Sequence, residues 1–159
     1  MPFNLNFKYQ TNTNGYHKIN FSSKPLRLNI SNVSIKKKKS ISGKNSISFL
    51  NSKLNTKYNI KEKSIIFKSD SSRVDAFQVS YVGELLINPF DLNLDIHLDN
   101  YKISKLFNNN PILIEFIKSG LLFNSNINVK NSVTIKSNEK KEFFQNAKIN
   151  FNIINGKFN

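Results

Sequence analysis

Asp91, Asp95, His97 and Asp99 occupy alternate positions of one short stretch. Carboxylates and an imidazole in one cluster are the donors of a divalent-metal site or an acid/base pair. The residues between them point elsewhere. Phe90, Leu92, Leu94, Ile96 and Leu98 fill the other positions without a slip, the period-2 pattern of a strand with one apolar and one wet face. Every second residue there must be polar whatever its chemistry, so the acidic side reads as solvated surface. The run Asp91-Leu92-Asn93-Leu94-Asp95 resembles the start of a calcium loop, but the glycine position of such a loop holds Ile96. The other histidine is His17. No nucleophile-elbow, glycine-rich phosphate-loop or His-Glu-x-x-His motif occurs. The chain has no cysteine, which excludes disulfides and thiolate metal sites. Asn20-Phe21-Ser22, Asn29-Ile30-Ser31 and Asn32-Val33-Ser34 match the glycosylation sequon, as chance produces in a chain this rich in Asn and Ser. The expectation is a protein without catalytic residues, metal or cofactor.

Charge is the second chemical signal. The balance of 24 Lys+Arg against 10 Asp+Glu gives +14. An anionic partner, nucleic acid or lipid, would suit it. So would codon bias, since the abundant Asn, Lys, Ser and Ile can all be encoded by A/T-rich codons and the lysines are scattered. The exception is Lys36–Lys39, four in a row before Ser40, which fits a solvated turn at a strand end. A base-stacking sheet carries aromatics on its basic face. Here most Phe residues are in phase with Leu and Ile, so nucleic acid is the minor reading.

At 159 residues, with 14 Phe and 5 Tyr, the chain is long enough for one domain with a real core. Alternation recurs from end to end. Phe3 to Tyr9 reads as a strand, Asn14-Gly15 as a hairpin turn, and Tyr16–Phe21 as the return. Leu26–Ile35, Gly43–Leu50, Leu54–Ile60 and Ser64–Lys68 follow. Val74–Leu86 reads as a strand with a bulge or break near Gly83. After Phe90–Leu98 the period changes: Ile103, Leu106 and Phe107, then Asn110-Pro111 and the stripe Ile112, Leu113, Phe116, Ile117, closed by Gly120, predict one broken helix over about 101–119. Strands resume at Asn126–Lys130, Ser132–Lys136 and Ala147–Ile153, and Asn155-Gly156 is a last turn.

With no helix between most strands, the expected fold is mainly β: a long, curled antiparallel meander with that helix packed on or capping it. One helix covers few strands, so the surplus apolar face needs a curl, more protein or a ligand. The residues expected to line such a groove are Leu26, Leu28, Ile30, Ile47, Phe49, Tyr58, Ile60, Phe90, Leu92, Leu94, Ile96, Ile149, Phe151 and Ile153.

From Tyr81 onward the order also resembles a known family. Gly83-Glu84-Leu85-Leu86-Ile87 leads into Asn88-Pro89-Phe90 and the alternating strand, then Ile103-Ser104-Lys105-Leu106-Phe107, the helical Ile112–Ser119, Leu122–Ile127, and Phe144–Ile153 with Asn155-Gly156-Lys157. This is similar to the C-terminal region of AsmA-like proteins, the group that includes TamB and YhdP, of the alphaproteobacterial type. The likeness covers roughly residues 75–159. It implies a segment of a larger periplasmic protein, held in the inner membrane by a part outside this sequence. It implies a curled sheet with a lipid-lined groove, phospholipid or another acyl lipid as partner, and phospholipid transport to the outer membrane. Outer-membrane assembly proteins are the alternative partners, in a scaffolding role. The family supplies no catalytic residues. No signal peptide and no spanning stretch is read in residues 1–159, and the chain is expected to be one β-rich fragment.

Overall fold

The computed structural model describes residues 4–102, 124–138 and 144–158. They form a single sheet whose spatial order is the chain order, β1 to β11. The strands are β1 Leu5–Thr11, β2 Tyr16–Ser23, β3 Leu28–Lys37, β4 Ser40–Phe49, β5 Ser52–Ile60, β6 Ser64–Val74, β7 Phe77–Leu86, β8 Phe90–Asp99, β9 Ile127–Lys136, β10 Asn146–Ile154 and β11 Lys157–Phe158. Each is an alternating segment rich in Ile, Phe, Val, Tyr and Leu, bounded by residues that turn the chain. The mainly β expectation therefore holds, and the finer statements are corrected in three ways.

First, the meander is not antiparallel throughout. β8 and β9 run parallel, Phe90 opposite Ile127 and Asp99 opposite Lys136, while the other pairs are antiparallel. A parallel return needs a crossover of about a dozen residues or more, and the segment 100–126 supplies it. The helix expected over about 101–119 falls there; apart from Tyr101 and Lys102, which are not helical, it lies outside the described residues. Phe3 lies outside them too. Second, the sheet is open and uncurled: β1 and β11 are its edges, and among the described residues no strand joins them. Third, Val74–Leu86 is not one strand. It is cut by a turn at Asp75 and Ala76, with Asp75 at φ 49°. Gly83 sits in unbroken register between Phe67 and Leu94. Conversely, Asn126–Lys130 and Ser132–Lys136 merge into the single strand β9.

The bulge is in β6. Lys68 pairs with Lys57 and Arg73 with Lys53, so β6 spends one more residue than β5 over the same span. The ladder to β7 slips by the same residue between Ser69 and Ser72. Side chains replace the lost ladder bonds: Asn55 N–H donates to Ser72 Oγ at 2.9 Å, and Asn55 Nδ2 donates to the Ser71 carbonyl at 2.8 Å. Ser69 and Ser72, both buried, share a hydrogen bond at 2.7 Å.

The first hairpin turns as its sequence suggests. Asn12 Oδ1 accepts from the N–H groups of Asn14 and Tyr16, and Gly15 takes φ 73°. Gly15 also touches the next hairpin, since the Lys36 N–H donates to its carbonyl at 2.8 Å.

Candidate functional site

The pairing register assigns every strand residue to one of two faces. Partners on neighbouring strands share a face, and successive residues alternate. One face is apolar across the sheet. Its rows include Phe7–Phe21–Ile30–Ile47–Leu54 over β1 to β5 and Ile41–Ile60–Ile65–Leu85–Leu92–Val129–Ile153 over β4 to β10. Of the residues expected to line a groove, all but Leu26 lie on this face. Leu26 sits in the turn between β2 and β3. Phe7, Phe21, Leu54, Ile65 and Leu85 join the same face, as the register between strands shows.

This face is dry at one end and open at the other. Among the described residues the buried hydrophobic side chains are Val129, Ile135 and Ile153, all on β9 and β10. At the β1 end Leu5, Phe7 and Tyr9 are exposed, Phe7 at 63 %, and Phe49 on β4 is 48 % exposed. Tyr101, just past β8, folds its ring edge-on against Phe77 with centroids 4.9 Å apart.

A polar band crosses the apolar face midway. Asn32, Asn45 and Thr56 are lateral neighbours on β3, β4 and β5. Tyr58 donates to Asn32 Oδ1 at 2.8 Å, and Thr56 Oγ1 bonds the Tyr81 hydroxyl at 2.5 Å. At the edge the Tyr9 hydroxyl meets His17 Nδ1 at 2.8 Å. These bonds let phenols and amides sit among aliphatic side chains without stranded polar atoms. Asn45 Oδ1, Asn131 Oδ1 and Ser23 Oγ on this face are exceptions: buried, with no hydrogen-bond partner. His17 is thus held by Tyr9 at the sheet edge.

The opposite face is mainly polar, with Ile35, Ile66, Val82 and Leu86 exposed on it, and divides by charge. Asp91, Asn93, Asp95, His97 and Asp99 of β8 lie on it beside Gln78, Ser80, Val82, Glu84 and Leu86 of β7. No group of three or more metal-ligating side chains gathers among the described residues. On β4 to β6 the same face is basic: Lys44 pairs with Lys57, and Lys57 with Lys68. Val33 joins Lys44 to Lys18 on β2 in the same row. Asp70, displaced beside the bulge, lies 3.5 Å from Lys57 and 3.9 Å from Lys68. The Lys36–Lys39 run ends β3 and turns into β4.

Fold and faces together give, among the described residues, one open β-sheet with one largely apolar side. No helix among the described residues is long and apolar enough to cross a membrane. No family model matches this chain, and no curated protein and no solved structure matches it.

Proposed function

We propose that this chain is a non-enzymatic, AsmA-like module whose apolar sheet face takes up the acyl chains of phospholipid. It would form part of a lipid path between inner and outer membranes, in the periplasm, attached to the inner membrane by a segment outside this sequence. The observation that carries this reading is the wide, largely apolar face, crossed by one polar band, with side chains as large as Phe7 and Phe49 left in water. Monomeric proteins seldom leave so wide an apolar surface bare unless something binds it. Acyl chains need no directional partner, and each buried methylene contributes about 0.8 kcal/mol. The resemblance of residues 75–159 to AsmA-like proteins supplies the cellular setting.

Native mass spectrometry of the purified 159-residue chain tests this. Bound phospholipid is expected, and it should be lost in Ile30→Asp/Ile47→Asp, which keeps the β signature in circular dichroism. A lipid-free protein that also ignores added phospholipid would sink the idea.

A scaffold for outer-membrane protein assembly is a second reading, and one observation favours it. All of β1 is exposed, and its outer edge is unpaired. Such an edge accepts an added strand from a partner. Crosslinks from β1 to a β-barrel partner, with none to lipid, would favour this reading.

A further inference from the structure

The basic file on the polar face is the strongest feature that the acyl-chain reading leaves unused. Lys44, Lys57 and Lys68 are direct lateral neighbours on three adjoining strands. Adjacent strands lie about 4.8 Å apart, and like charges placed directly opposite one another destabilise a sheet. Among the described residues Asp70 alone pairs with them, reaching Lys57 and Lys68 at 3.5 and 3.9 Å. Exposed pairs of that length neutralise little. The three lysines, with Val33, Ile35 and Ile66, are among the residues lining an open depression of about 590 Å³. Ile35 and Ile66 are 46 % and 41 % exposed, on the mainly polar face and beside the lysine file.

We propose that this face docks on an anionic phospholipid membrane, with lipid phosphates lying along the Lys44–Lys57–Lys68 file. Cations over exposed aliphatic side chains match the boundary of a bilayer, where headgroup charge and the first methylenes are both within reach. A nucleic-acid duplex would offer phosphates but nothing for Ile35 and Ile66. A single strand would need a series of stacking aromatics, yet Phe7, Phe21, Phe49 and Phe67 are on the other face, and among the described strand residues Tyr16, opposite Ile35, is the one aromatic on this face. The proposal does not rest on the acyl-chain reading, because it uses the opposite side of the sheet.

Vesicle sedimentation with the full 159-residue chain decides it. Vesicles of phosphatidylcholine containing a third phosphatidylglycerol should bind the protein, and pure phosphatidylcholine should not. At about 1 kcal/mol per lysine near such a surface, Lys44→Gln/Lys57→Gln/Lys68→Gln should weaken binding by roughly a hundredfold. Lys36→Gln/Lys38→Gln/Lys39→Gln removes the same charge from the end of β3 and the β3–β4 turn and should weaken it far less. Asp70→Asn should tighten binding, since it removes the competing carboxylate. Equal losses in the two triple variants would overturn the proposal, as would no binding to the anionic vesicles. So would tighter binding to a DNA duplex that depends on the same three lysines. Ile30→Asp/Ile47→Asp should leave vesicle docking intact, which separates failure here from failure of the acyl-chain reading.

Discussion

The Tyr58 ring lies directly over Gly43. A Cβ on that glycine would stand 2.5 Å from the ring and 2.7 Å from the Val33 carbonyl oxygen. Phe67 covers Gly83 in the same way, with a Cβ there 2.4 Å from the ring. Both glycines have ordinary strand backbone, so the requirement is for space, not for an unusual φ. Gly43→Ala and Gly83→Ala should each lose about 1–3 kcal/mol, the cost of overpacking, in urea denaturation. Phe67→Leu combined with Gly83→Ala should lose less than the sum of the two single changes. Stabilisation by either alanine would show that the ring swings aside and that the reduced freedom of the unfolded chain dominates.

The parallel pairing of β8 with β9 makes a sharper geometric prediction. Leu92 faces Val129, and Ile96 faces Val133. The chain has no cysteine of its own. Leu92→Cys/Val129→Cys and Ile96→Cys/Val133→Cys should therefore both oxidise to an intramolecular disulfide, read by gel mobility without reductant. Leu92→Cys/Val133→Cys, four residues out of register, should not, since disulfides need Cα atoms within about 7 Å. No single antiparallel register allows both of the first two crosslinks.

Ser72 holds the bulge together. Its Oγ accepts from the Asn55 N–H and shares a bond with Ser69. Ser72→Ala would leave that backbone donor without a partner in a part-buried site. A loss of about 1–3 kcal/mol is expected from equilibrium unfolding. Ser71 contributes only its carbonyl oxygen, to Asn55 Nδ2. Ser71→Ala should stay within about 0.5 kcal/mol.

What the sequence made legible follows from the same particulars. Strand existence was readable because residues such as Leu92, Leu94 and Ile96 alternate strictly, and alternation is a local property. The shared face of Leu28, Ile47, Tyr58 and Ile153 followed from it once register was known. The bulge was misplaced for a physical reason: a glycine in a strand signals either a kink or a close approach, and at Gly83 it is Phe67 that approaches. The true bulge lies in Asp70–Ser71, where polar residues on both faces erase the phase. The parallel ladder was hidden differently. Helical spacing after Phe90–Leu98 marks a connection long enough for either strand direction, and alternation within β8 and β9 carries no sign of which way they pair. The lysine file was invisible because Lys44, Lys57 and Lys68 become neighbours only through two hairpins.

The apolar face predicts opposite outcomes at its two ends. Ile135 and Ile153 are both 0 % exposed, whereas Phe7 is 63 % exposed on the same face. Ile153→Ala should cost about 2–5 kcal/mol, the range for emptying a packed site, because neighbours on β9 cannot collapse fully into the gap. Phe7→Ser removes a larger side chain yet should shift stability by no more than about 0.5 kcal/mol, since water already surrounds the ring. Its effect belongs to binding: an environment-sensitive dye or bound phospholipid that uses the open end should be released by Phe7→Ser and Phe49→Ser while the urea midpoint stays put. If Phe7→Ser instead lowered the midpoint as far as Ile153→Ala, the β1 end would be packed against something in solution. The face would then be an interior surface, and the acyl-chain reading would lose its open wall.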